Sequence, residues 1–183
     1  MTKKQYIWLA SFLLLFFVTG IPVEKKSETV TEIPVTQSIS KEYKVTRVVD
    51  GDTIKVDIDG TIETIRIIGV DTPETVDPRK PVQCFGKEAS DKAKSILTDK
   101  SVTLETDITQ GDRDKYDRLL RYVFLDGTDY GKSMIASGYA HEYTYKDPYK
   151  YQADYKIAQT TAQKESLGFW SSNTCNGVTV SSL

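Results

Sequence analysis

Histidine and cysteine are scarce in this 183-residue chain, with one His and two Cys. That excludes a structural Cys/His zinc cluster, which needs four such ligands. An excess of basic charge is also missing: 24 Lys and Arg face 26 Asp and Glu, for a formal net charge of −2. This is not the balance of a tight nucleic-acid binder. A polyanionic partner would have to be met by a few well-placed cations, with modest and salt-sensitive affinity. There are no internal repeats and no Gly- or Gln-rich tracts. No apolar run reaches the ~20 residues of a comfortable membrane span.

What is present divides by position. Lys3 and Lys4 precede an apolar stretch from about Ile7 to Val18. A charged start followed by a short apolar run has the pattern of an export signal. Thr19 and Gly20 are small but form no clear cleavage site, so an uncleaved anchor is the alternative; no cysteine stands near residue 20 to carry a lipid. Either way the body of the chain is expected outside the cytoplasm, secreted or anchored to the membrane. Loss of residues 1–20 would leave 22 basic against 26 acidic residues, a net charge of −4. Residues 21–42 are polar and aperiodic and read as a flexible linker. The folded domain is expected over 43–172, with 173–183 as a C-terminal tail. In an exported protein, Cys84 and Cys175 form a possible disulfide.

Within the domain, 43–49, 53–58 and 61–70 read as strands, and Ile54, Val56 and Ile58 alternate onto one face. Asp50-Gly51 and Asp59-Gly60 between them are hairpin signals, because glycine accepts positive φ without strain. A proline-bearing loop (Pro73, Pro78, Pro81) leads to a helix over 86–100, with Ala89, Ala93, Ile96 and Leu97 as its apolar stripe. Strands over 101–106 and 119–125 follow, then a short helix over 130–138 stopped by Gly138. A longer helix covers about 149–166 and is closed by Gly168, with Phe169 and Trp170 packing back on the core. Five antiparallel strands with a helix between the third and fourth have the order of an OB-fold barrel, so the expected class is mainly β with three helices, α+β.

The polar residues gather in four segments. VVDGDT (48–53) carries Asp50 and Asp52, and IRIIGVDTPET (65–75) carries Arg66, Asp71, Thr72 and Glu74. QGDRDKYDRLLRY (110–122) carries Lys115, Tyr116 and Arg118; HEYTYKDP (141–148) carries Tyr143 and Tyr145, read as one strand face. Singly, each has an ordinary explanation: turn chemistry for Asp52 and for DTPE, solvated charge for the arginines, packing for the tyrosines. Together they form a better-motivated set. Asp52 and Asp71 end neighbouring strands, and two carboxylates with a backbone carbonyl are hard oxygen ligands suited to Ca²⁺. Arg66 and Arg118 are planar forks that match phosphate oxygens. Glu74, held off from Asp71 by Pro73, is placed to take a proton from an attacking water.

DGDT (50–53), R-x4-DTPE (66–74), the KYxR segment (115–118) and LGFW (167–170), taken in order, resemble the thermonuclease family of staphylococcal-nuclease-like domains from about Val45 to Trp170. The resemblance implies a barrel with three helices and Ca²⁺-dependent hydrolysis of DNA and RNA, single strands preferred, to 3′-phosphate and 5′-hydroxyl ends. It implies Asp52, Asp71 and the Thr72 carbonyl as Ca²⁺ ligands and Glu74 as the residue that orders or activates water. Arg66 and Arg118 become phosphate clamps, and Lys115, Tyr116, Tyr143 and Tyr145 nucleotide contacts. It implies a monomer, and no feature asks for a protein partner. Three departures stand out. Asp117 occupies a position where the family often has glycine; two cysteines are present; and the chain is acidic. The alternatives are a non-catalytic OB-fold module binding nucleic acid or sugar at the cell surface, which leaves the three carboxylates unexplained, and a calcium-stabilised surface protein, which leaves both arginines idle.

Overall fold

β-branched and aliphatic residues alternate through the first half of the domain, and this pattern builds the barrel. The computed structural model describes residues 41–75 and 82–179. The export or anchor segment, the linker up to residue 40, and Pro78 and Pro81 lie outside the described residues. The described residues fall in one compact unit, 38–183. Its elements in chain order are β1 (Glu42–Val48), β2 (Thr53–Ile58), β3 (Thr61–Ile67), β4 (Val70–Asp71), α1 (Gly86–Leu97), β5 (Ser101–Glu105), β6 (Leu119–Leu125), β7 (Thr128–Asp129), α2 (Tyr130–Ala136), β8 (His141–Glu142) and α3 (Gln152–Lys164), with a 3₁₀ turn at Gly168–Trp170.

The sheet order is β3-β2-β1-β5-β6-β7, and β3 also pairs with β6. That extra pairing closes β1, β2, β3, β5 and β6 into the five-stranded OB barrel, with the three helices around it. The closing pair is parallel, Ile65 opposite Leu119 and Ile67 opposite Arg121, which corrects the expectation of an all-antiparallel set. Closure follows from barrel geometry, since strand ends far apart in sequence have to meet. A register shift between Val45 and Arg47 bends β1 as closure requires. Inward-facing Ile54, Val56, Ile65 and Ile67 are at most 1% exposed, and α2 and α3 add Met134, Ile135 and Tyr155 to the same core.

Turn chemistry sets where the elements stop. Asp59 (φ 54) and Gly60 (φ 86) form the left-handed pair that joins β2 to β3 tightly. Gly51 is not a positive-φ glycine. A Cβ there would lie 2.5 Å from Thr72 Cγ2, so glycine is needed for close approach of the 49–52 link to the strand end at Thr72. α1 ends with its apolar stripe at Leu97, three residues before the expected bound at 100, because Thr98 turns extended (ψ 130) and Asp99 left-handed (φ 61). α3 is likewise confined to Gln152–Lys164; it ends before Ser166 (φ 53), and Gly168 opens the 3₁₀ turn. Phe169 is fully buried. The tail is part of the unit: Cys175 is bonded to Cys84 with Cα atoms 6.0 Å apart, Gly177 N–H donates to Phe169 O at 2.8 Å, and Cys84 N–H donates to Thr179 O at 3.0 Å.

Candidate active site

The closure of β3 on β6 brings the ends of β2, β3 and β4 to one end of the barrel. There the Asp52 carbonyl accepts from Ile67 N–H at 2.9 Å, and the Gly51 carbonyl accepts from the buried Tyr130 hydroxyl at 2.8 Å. The 49–52 link is thus fixed from two sides. The Asp52 carboxylate is 7% exposed as a residue and well partnered. Its Oδ1 accepts from Thr53 Oγ1 at 2.8 Å, and its Oδ2 accepts from the Thr72 amide at 3.1 Å and the Thr72 hydroxyl at 3.3 Å.

Arg66 joins the two aspartates. Its Nη2 lies 3.4 Å from Asp52 Oδ2 and 3.3 Å from Asp71 Oδ1. Its Nη1 donates to the carbonyls of Ile67 and Val70, so both edges of the guanidinium are held. Charge of one sign is concentrated beside it. Burial pushes the Asp50 carboxyl up to about 7, and the carboxylates of Asp52 and Glu74 add to the shift. Asp50, Asp52 and Glu74 therefore share one electrostatic neighbourhood. Glu74 is set by its backbone: its amide donates to Gln83 Oε1 at 2.8 Å, its carbonyl accepts from Gln83 N–H at 3.0 Å, and its Oε1 accepts from the Thr75 amide at 2.8 Å.

The 111–118 segment is organised by Asp114. Its Oδ1 accepts from the amides of Tyr116 and Arg118, at 2.9 and 3.0 Å, and its Oδ2 accepts from Arg118 Nε at 2.7 Å. Asp117 takes φ 64, the left-handed conformation that aspartate tolerates better than most residues. Its carboxylate faces Arg113 Nε at 3.6 Å. The partner of Arg118 is thus Asp114, four residues before it, and not the adjacent Asp117. Arg113 anchors the segment to β3 through a two-pronged pair with Glu63, at 3.0 and 2.9 Å.

Arg66, Asp71, Lys115, Tyr116, Arg118, Tyr143 and Tyr145 all line one open cleft of about 610 Å³. Asp114 and Lys146 line it as well. Asp52, Thr72 and Glu74 are not on its wall; Asp52 reaches it through Arg66. Tyr116 carries Lys115 Nζ and the Arg118 guanidinium over its ring, at 5.0 and 5.3 Å. Tyr143 and Tyr145 have rings 6.4 Å apart, but β8 ends at Glu142. They project from a loop and not from a strand face, and they are 41% and 75% exposed. Exposed aromatic faces beside cations suit the stacking of bases and the binding of phosphates.

Carboxylate oxygen is the donor type that suits a hard divalent cation. Asp52 and Asp71 converge on one guanidinium nitrogen and carry no competing sulfur or imidazole ligand. Among the described residues no group of three or more His, Cys, Asp or Glu side chains is assembled for a metal. Sequence reading passed over Asp114, Tyr130 and Gln83. The i, i+4 spacing of Asp114 and Arg118 was a usable signal, whereas nothing local marks Gln83 or Tyr130.

Comparison with known proteins gives the same direction. Residues 64–172 match the family model described as staphylococcal nuclease homologue. The chain is 48% identical to a thermonuclease of Staphylococcus hyicus over 169 residues, 92% of this chain and 99% of the relative. It is 40% identical to a thermonuclease of Staphylococcus intermedius over 88% of this chain and 92% of the relative. It is also 41% identical to the SPbeta prophage-derived endonuclease YokF of Bacillus subtilis, over 69% of this chain and 43% of that longer protein.

Proposed function

The chain belongs to the staphylococcal nuclease family and is a nuclease, and we propose that it is an exported, monomeric, Ca²⁺-dependent endonuclease. Its substrates are DNA and RNA, single strands preferred, and its products end in 3′-phosphate and 5′-hydroxyl. Residues 1–20 serve as export signal or anchor, and 21–42 as linker to the domain. The observation that carries this reading is the shared cleft, where Arg66, Asp71 and Arg118 meet Lys115, Tyr116, Tyr143 and Tyr145.

In this reading Asp52, Asp71 and the Thr72 carbonyl hold the ion. Bound there, calcium would supply charge neutralisation for the phosphodiester under attack. The chain's own groups do the rest. Arg66, steadied by two backbone carbonyls, and Arg118, steadied by Asp114, donate to the phosphate oxygens on which charge builds. Glu74 accepts the proton of the attacking water. Tyr116, Tyr143 and Tyr145 support the sugar and base, and Lys115 the neighbouring backbone phosphate. Removing one such preorganised donor costs about 10²–10³ in kcat, and removing a general base a loss of similar order. Arg118→Ala and Glu74→Gln are each expected to fall by that order, with the fold retained by circular dichroism. Turnover at the unmodified rate in Arg118→Ala would end the clamp assignment, and in Glu74→Gln it would end the base assignment.

A further inference from the structure

The C-terminal tail is bonded to the segment that holds Glu74. Gln83 grips the Glu74 backbone on both sides, accepting from its amide at 2.8 Å through Oε1 and donating to its carbonyl at 3.0 Å through its own amide. The next residue, Cys84, is tied twice to the tail, by the disulfide to Cys175 and by its amide to Thr179 O at 3.0 Å. The fit is close. A Cβ on Gly86 would lie 2.7 Å from Thr75 Cγ2 and 3.0 Å from Glu74 O. Phe85 between them takes φ 66, an unfavourable conformation for a bulky residue that persists only where its surroundings enforce it. Those surroundings are Tyr139 and Phe169, with ring centroids 5.3 and 6.3 Å from that of Phe85. Phe169 in turn accepts the tail's Gly177 amide on its carbonyl.

We propose that Gln83 is a positioning residue for Glu74, and that the Cys84–Cys175 disulfide and the tail it anchors hold Gln83 in register. The proposal rests on the reading of Glu74 as the residue that acts on water. Because Glu74 Oε1 is bonded to the Thr75 amide at 2.8 Å, a shift of the 74–75 backbone carries the carboxylate with it. A displacement of that kind lowers the rate of the chemical step more than it weakens substrate binding.

The test uses the full chain, a single-stranded oligonucleotide substrate and five variants. Gln83→Met keeps the size of the side chain and removes the acceptor; kcat is expected to fall about 10- to 100-fold with KM changed less than about threefold. Gln83→Glu restores an acceptor oxygen and should recover most of the loss. Cys84→Ser with Cys175→Ser should lower kcat in the same way when assayed well below its own Tm. In a Glu74→Gln background, Gln83→Met should cost less than about twofold more, because its effect passes through Glu74. An unchanged kcat in Gln83→Met, or a full multiplicative loss in the Glu74→Gln background, would overturn the proposal and leave the Glu74 assignment standing. Wild-type turnover in Glu74→Gln alone would remove the premise, and the proposal with it.

Discussion

Asp117 and Asp114 flank the same arginine and do different things. Asp117 is next to Arg118 in sequence, and adjacency alone suggests that its charge weakens the clamp. Its left-handed φ of 64 turns the carboxylate to solvent and toward Arg113, and the side chain is 87% exposed. Asp114 instead meets Arg118 at Nε and Nη2, at 2.7 and 2.6 Å, from a side chain only 17% exposed. Hydrogen bonds from Arg118 and from the Tyr116 and Arg118 amides outweigh burial and hold the Asp114 carboxyl below its ordinary value. Asp117→Asn is therefore expected to leave kcat within about twofold, a surface charge change of small effect. Asp114→Asn frees the guanidinium and the loop together and should lower kcat about tenfold or more. Steady-state kinetics on the two variants decides between them; the reverse ranking would return the role to Asp117. Residue types were readable at this scale. Rotamer and backbone conformation, which choose between two aspartates a few residues apart, were not.

Elements were legible where local pattern decides them. The alternation in β2 gives Thr53–Ile58, the expected bounds, and the run in β6 gives Leu119–Leu125. The parallel meeting of β3 with β6 has no local signature, since it follows from closing the barrel. The Tyr143 and Tyr145 loop was misread as a strand because its alternating aromatics have a strand's period. The joint between β6 and α3 also comes from tertiary contacts. Asp107 accepts from the Tyr122 hydroxyl, the Lys150 amide at 2.8 Å and the Thr109 amide at 2.9 Å. Burial pushes its carboxyl up, but these donors win and hold it at about 2, against an ordinary 3.8. The folded carboxyl is the more acidic one, so its contribution is complete above the ordinary value. It is lost as pH falls from there toward the folded value, and it amounts to about 2 kcal/mol. Urea unfolding should find Asp107→Asn less stable than the parent chain at pH 7, with the gap narrowing steadily between pH 4 and pH 2. A gap independent of pH would contradict this account of the joint.

At the scale of the whole molecule, two of the departures noted in the sequence, the cysteine pair and the acidic balance, define this chain. One is the disulfide, which closes a separation of 91 residues. On the chain-entropy model such a loop is worth about 4–5 kcal/mol. Replacing both cysteines by serine should lower the urea midpoint accordingly, with the slope of the transition as the check on two-state behaviour; an unchanged midpoint would mean that the bond constrains nothing the tail does not already hold. The pairing was open to sequence because only two cysteines exist, whereas its location beside Gln83 and Glu74 was not. The other departure is the net charge of −2. Attraction for a polyanion then rests on the few cations of the cleft, Arg66, Arg113, Lys115, Arg118 and Lys146, and not on a general field.

The most direct test of the central claim is the chemistry of the product ends. The protein would be incubated with single-stranded DNA and with RNA in Ca²⁺, in Mg²⁺ and in chelator, and the termini mapped. The account predicts cleavage in Ca²⁺, abolished by chelator, with phosphate at the 3′ end and hydroxyl at the 5′ end. Undiminished cleavage in chelator, or products carrying 5′-phosphate, would contradict it.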